Sequence, residues 1–195
     1  CSSAYEPSFF CTTSTNSNFV PGISLYDDLG SRYKPTLIAR GFTASPVVGL
    51  PQGISVFVDG VPVNEPDAGQ VNFDLLPLQH AEQVELLSGT ASHLGPNSLG
   101  GAINIITRRG GAGVGGETAF DIGSHRSYSA NISYEGEISP RWRYYGGGTY
   151  SSEQGWRQLT RGHRQDAFGN LGRSSGTSGF NLQAYAARSY AETAG

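Results

Sequence analysis

A period of two running through the C-terminal half constrains this chain more than any other feature. Tyr128, Ala130, Ile132 and Tyr134 alternate with Ser129, Asn131, Ser133 and Glu135. Trp142, Tyr144, Gly146, Gly148 and Tyr150 continue the rhythm, with Thr118, Phe120 and Ile122 before them and Phe180, Leu182, Ala184 and Ala186 after. Successive side chains of a strand point to opposite faces, so each segment has one apolar and one polar face. Segments of about ten residues, aromatic near their ends and separated by turns such as Ser139-Pro140, have the pattern of membrane β-barrel strands. A soluble β-sandwich also alternates. Its solvated face would resemble a wet lumen lined by Asn131, Glu135, Glu137 and Arg143. The pattern alone leaves both architectures open.

Composition removes other classes. The formal net charge is −3, and Lys34 is the single lysine beside twelve arginines, so there is no polycationic surface for nucleic acid. No apolar run approaches the roughly 18 residues of a membrane helix. The 28 glycines show no three-residue period, which excludes collagen. The chain has no Met and starts at Cys1, which implies a processed chain or a piece of a longer one. Cys1 and Cys11 have neither zinc nor redox spacing. They could pair in an oxidising compartment, and Cys1 before Ser2 and Ser3 could also be a lipidated terminus. Residues 1–19, rich in Ser, Thr and Asn, read as a leader or loop, with ordered structure starting near Val20-Pro21-Gly22-Ile23.

Between residues 20 and 110 the punctuation is different. Ile54 to Val58, then Asp59-Gly60, then Val61-Pro62-Val63 predicts a hairpin through a type I′ turn, because both central residues of that turn need positive φ. Pro62 lacks an N–H, so the second arm is expected at a sheet edge. Pro77 predicts a helix of one or two turns, followed by a strand over Gln83–Leu87. A second short helix is expected over Ala91–Leu94, and a buried strand over Ala102–Thr107. Strands and short helices within about ninety residues make a compact α+β unit.

Catalysis finds little support. His80, His93, His125 and His163 are scattered outside metal-ligand spacings and read as polar surface or loop residues. No Gly-x-Ser-x-Gly elbow is present. An enzyme acting on carbohydrate would rest only on scattered carboxylates. Gly111-Ala112-Gly113-Val114-Gly115-Gly116 matches a dinucleotide fingerprint in letters. That site needs a helix to follow, whereas Glu117–Gly123 reads as a strand. No cofactor or metal is implied.

Read in order, six fragments carry a resemblance. They are Val20-Pro21-Gly22-Ile23, Ala39-Arg40-Gly41-Phe42, Val58-Asp59-Gly60-Val61-Pro62-Val63, Phe73-Asp74-Leu75-Leu76-Pro77, Glu82–Gly89 and Leu99–Arg108. In that order and spacing they resemble the plug domain of TonB-dependent outer-membrane receptors. The resemblance implies a mainly β chain. Residues 20–110 would be an α+β plug with a small mixed sheet. Residues 111–195 would be the first antiparallel strands of an incomplete transmembrane β-barrel. Strands are expected near Gly116–Ser124, Ser127–Ile138, Arg141–Glu153, Gln165–Ser174 and Gly179–Tyr190. These are too few to close a cylinder, since the smallest barrels have about 8. The chain is therefore expected to be a truncated receptor.

The family's function, carried over as expectation, is gated import across the bacterial outer membrane. The plug blocks the barrel, and a scarce ligand such as a ferric siderophore, cobalamin or a glycan binds outside. The partner TonB pulls on an N-terminal box, and outer-membrane lipid surrounds the barrel. By position, the plug's apical loops should follow Gly41-Phe42 and Val61–Val63 and lie around His93–Ser98. Candidate ligand contacts are Asn64, Asp67, Gln70, Asn72, His93 and Asn97, all of them also turn-forming types or neighbours of turns. Arg40 is expected to be structural, buried or lumen-facing and paired with Glu82 or Glu85. Gln83 and Ser88 stand where the family often has Arg, and Leu94-Gly95 replaces its Leu-Tyr-Gly. No TonB-box pattern is visible in Cys1–Phe19. The alternative is a soluble β-rich ligand-binding module without transport.

Overall fold

The computed structural model describes residues 23–26, 28–29, 31, 33–88, 97–124, 126–154, 160–175 and 178–192. They fall into two units divided between Thr107 and Arg108. The expected leader and the Ala91–Leu94 helix lie outside the described residues.

The first unit holds two small sheets around one apolar core. β1 (Ile23–Tyr26), β2 (Thr36–Ala39) and β3 (Phe42–Ala44) form an antiparallel meander. β4 (Ile54–Val58), β5 (Val61–Pro62), β6 (Ala81–Ser88) and β7 (Gly101–Thr107) form a mixed sheet in the order β5-β4-β7-β6. β4 and β7 pair in parallel at its centre, and both read as near-continuous apolar runs because both of their faces are covered. Leu37, Ile54, Val56, Val71, Phe73, Ile103 and Ile105 meet in the core.

The Asp59-Gly60 hairpin forms as expected, with φ of +50° and +82°, and Pro62 sits on the edge strand. The turn is then locked to the end of β7. The Asp59 carboxylate accepts hydrogen bonds from the Thr107 amide (3.1 Å) and hydroxyl (2.6 Å), while Asn104 Oδ1 accepts from the Gly60 amide (3.1 Å).

Two expectations are corrected, and one element is new. The helix after Pro77 is a single 3-10 turn, Leu78–His80, preceded by another at Phe73–Leu75, and β6 starts at once from Ala81. With Leu76, Leu78 and Ala81 all drawn into the core, too few residues remain between them for an α-helix. His80, expected at the surface, is buried at 2% exposure within that turn. A hairpin between β2 and β3 was not foreseen. It turns at Arg40-Gly41 with φ of +53° and +82°.

The second unit is one antiparallel sheet in sequence order. It consists of β8 (Gly115–Gly123), β9 (Ser127–Ser139), β10 (Trp142–Glu153), β11 (Gly162–Ser175) and β12 (Ser178–Ala191). Four of the five strands start and end within a residue or so of the expected positions, and β11 starts three residues early. Residues 111–114 lead straight into β8, so the dinucleotide-like letters carry no helix.

The two faces of this sheet invert the soluble rule. Phe120, Ile122, Ile132, Ile138 and Leu182 are exposed on one face. Thr149, Arg164, Asp166 and Asn170 are buried on the other. Aromatic pairs band the outward face at both ends. Tyr128–Tyr150 (6.0 Å) and His163–Tyr190 (5.3 Å) mark one end, and Tyr134–Tyr144 (5.9 Å) and Trp142–Phe180 (5.5 Å) the other. From Trp142 to Tyr150 the strand runs about 26 Å at its usual rise. That is close to the roughly 25 Å apolar band of outer-membrane barrels before strand tilt is considered. A sandwich would have to bury this face, so the soluble alternative is set aside. Gly110 enters the sheet at φ +85°, where an added Cβ would run into the Tyr144 backbone of β10.

Candidate functional site

Three loops meet at the end of the mixed sheet where β4 and β7 begin. The first, residues 45–53, closes on itself as Gln52 Oε1 accepts from the Ser45 amide (2.9 Å). It is tied to the second loop, residues 63–72, by the Val71 amide donating to Ser45 O (3.0 Å). The third, residues 97–100, joins through Gly100 N to Gly53 O (2.8 Å) and through the Ser55 and Ser98 hydroxyls (2.7 Å). Small residues permit the closeness. A Cβ on Gly53 or Gly100 would strike the Phe42 side chain, and one on Gly69 would strike the Asn97 amide.

The predicted site residues take different roles here. Asn64 spends its amide on the backbone: Oδ1 accepts from Val56 N (2.7 Å), and Nδ2 donates to Ile54 O (3.1 Å) and Gly69 O (2.9 Å). It pins the second loop to β4. Asp67 is exposed at the tip of that loop. Gln70 is half-buried, and its buried Nε2 has no hydrogen-bond acceptor among the described residues. Asn72 precedes the first 3-10 turn and donates to Glu65 Oε1 (3.3 Å). Asn97, at φ +66°, packs over Gly69 and so brings the third loop against the second. His93 lies outside the described residues.

The expected ion pair is not formed. Arg40 is exposed at the β2–β3 turn, and no salt bridge joins it to Glu82 or Glu85. Glu82 is exposed, and Glu85 accepts from Asn104 Nδ2 across the β6–β7 pairing (3.1 Å). Arg40 sits in the β2–β3 turn of the meander, whereas both carboxylates lie on β6 of the mixed sheet.

Sequence reasoning expected a loop after Gly41-Phe42 but named none of its residues as contacts. Val48 and Leu99, at 80% and 63% exposure, and Leu50 are exposed apolar residues on the first and third loops, which are hydrogen-bonded to the loop carrying Asp67 and Gln70 or to its neighbours. Ser45-Pro46 and Pro51-Gln52-Gly53 bracket the first loop with turn signals. Among the described residues no group of three or more His, Cys, Asp or Glu converges. The surface suits non-covalent contact with a ligand of mixed polarity.

Residues 12–102 match the family described as the TonB-dependent receptor plug domain. That match makes this segment a TonB-dependent receptor plug domain. The chain is 31% identical over 115 residues to the vitamin B12 transporter BtuB of Vibrio vulnificus, covering 58% of this chain and 18% of that protein. Its fold is similar to that of the pyoverdine outer-membrane receptor FpvA of Pseudomonas aeruginosa, with a TM-score of 0.67 and 20% identity over 86% of this chain and 23% of that one. It is also similar to the copper transporter OprC, with a TM-score of 0.71 and 14% identity over 90% of this chain and 27% of that one. The chain thus spans about a fifth of the curated relative's length. The family places the receptor in the bacterial outer membrane, and the named relatives are receptors and transporters.

Proposed function

We propose that the receptor serves TonB-energised uptake of a scarce, bulky ligand, a ferric siderophore or similar metal complex, with the plug gating the barrel. In this reading residues 20–110 are the plug and 111–195 the first part of the barrel, and the role is transport without catalysis. The observation that carries the proposal is the convergence of three plug loops, which gathers Val48, Leu50, Leu99, Asp67 and Gln70 at one end of the mixed sheet. Apolar contacts with a few polar groups are the usual make-up of a site for a large organic ligand. The buried Gln70 Nε2, without an acceptor among the described residues, supports a ligand oxygen as its partner. Asp67, Gln70, Asn72 and Asn97 are the assigned contacts, and Asn64 the loop anchor.

Growth rescue tests this reading. A strain carrying the full-length receptor is expected to grow on a ferric siderophore as the only iron source, and to stop when TonB is deleted. Rescue under cobalamin limitation and not under iron limitation would reassign the ligand. Growth unaffected by loss of TonB would overturn the energisation.

A further inference from the structure

One row of side chains crosses the rim of the barrel sheet, where the chain turns from β9 to β10 and from β11 to β12. Trp142 opens β10, Arg173 lies opposite it on β11, and Phe180 lies opposite Arg173 on β12. Directly paired residues of neighbouring strands share a face. Trp142 has the parity of Tyr144 and Tyr150, and Phe180 that of Leu182, so all three project from the outward face.

The geometry of this row is specific. The Arg173 guanidinium carbon stands 5.6 Å from the Trp142 ring centroid, and Phe180 meets the same indole edge-on at 5.5 Å and 85°. A cation over a ring uses its flat face, which leaves the N–H donors at its edges free. Arg173 is exposed, and among the described residues none accepts a hydrogen bond from it. No carboxylate shares the outward positions of β10, β11 and β12. Arg141 adds a second exposed cation in the β9–β10 turn, and its carbonyl accepts from the Ser174 amide (2.9 Å), which ties the two hairpin ends together.

An outward cation deep in the apolar band costs about 2–4 kcal/mol, and about 0–1 near its edge, where headgroups begin. The forked donors of a guanidinium match phosphate oxygens two at a time. We propose that Arg173, oriented by Trp142 and Phe180, binds the phosphate of a membrane phospholipid headgroup at the barrel rim. The aromatic pair contacts the first methylenes of that lipid and holds the guanidinium at headgroup level.

The test is native mass spectrometry of the full-length receptor released from micelles doped with phosphatidylglycerol. Arg173→Gln is expected to lower retained phosphatidylglycerol about fivefold, on the usual worth of one basic residue near a membrane surface. Arg173→Lys should keep most of it. Trp142→Ala, which leaves the charge but frees it, should lower retention about twofold by loss of the cation–π contact. Retention unchanged in both Arg173→Gln and Trp142→Ala overturns the proposal. Displacement of the lipid by an equal concentration of inorganic phosphate also overturns it, because the site would then belong to a free anion.

Discussion

The two units place their apolar strand residues in opposite environments. In the first, β7 is a near-continuous apolar run, with Ile103 and Ile105 buried in a core. In the second, Ile132 and Tyr134 alternate with Asn131 and Ser133 on β9, and the apolar members are the exposed ones. The plug gains stability by removing apolar surface from water. The barrel strands gain nothing by hiding theirs, because lipid is already apolar, and they hide polar groups instead. Arg164 shows the consequence: it is buried with Asp166 at 2.9 Å and donates to the Tyr185 hydroxyl at 3.2 Å. Burial in one unit marks the core, and in the other it marks the inner, polar face.

The sharpest way to break this contrast is to truncate one isoleucine in each unit. Ile103→Ala leaves a cavity in a filled core and is expected to cost about 2–5 kcal/mol of unfolding free energy. Ile132→Ala leaves none and should cost about 1 kcal/mol in transfer energy. Urea titration of the receptor in phospholipid vesicles measures both, and equal costs would show that the two faces are not different environments.

A charge scan inverts the test. Ile132→Arg places a cation toward lipid and should cost about 2–4 kcal/mol. Ser133→Arg, one residue along on the inner face, should stay within about 0.5 kcal/mol. The same titration decides, and a costly Ser133→Arg with a harmless Ile132→Arg would reverse the assignment of the faces.

Within the plug, Asn64 and Asp67 separate anchor from contact. Asn64→Ala removes partners from the Val56 amide and the Ile54 and Gly69 carbonyls and is expected to cost about 1–3 kcal/mol. Faster hydrogen exchange at Val56 should accompany the loss. Asp67→Ala is expected to leave stability within about 0.5 kcal/mol and to change only ligand affinity, read by ferric-siderophore binding to the full-length receptor. An unstable Asp67→Ala variant would make that residue an anchor as well.

Much of this was legible in the residues. The barrel strands emerged from parity and turn residues, since both are local and need no knowledge of the partner strand. The Asp59-Gly60 hairpin was legible for the same reason, because its two residues set their own φ. Arg40-Gly41 makes a similar turn and was missed: Arg is an unusual residue at φ +53°, and only the pairing of β2 with β3 holds it there. His80 illustrates the limit in the other direction. Its burial follows from Leu78 and Ala81 being pulled into the core around it, which no window of sequence reports.

By itself the sequence determined the class of each half, the ends of nearly every barrel strand and the chain segments that form the plug loops. These follow from side-chain period and turn chemistry, which act over a few residues. The tertiary structure alone decided which of those loop residues remain available. Asn64 and Asn97 are the same residue type in similar loops, yet one is consumed by the backbone of β4 and the other is laid over Gly69. A hydrogen-bonding side chain is assigned by whatever backbone the fold brings within 3 Å or so of it, and those partners lie on strands distant in sequence.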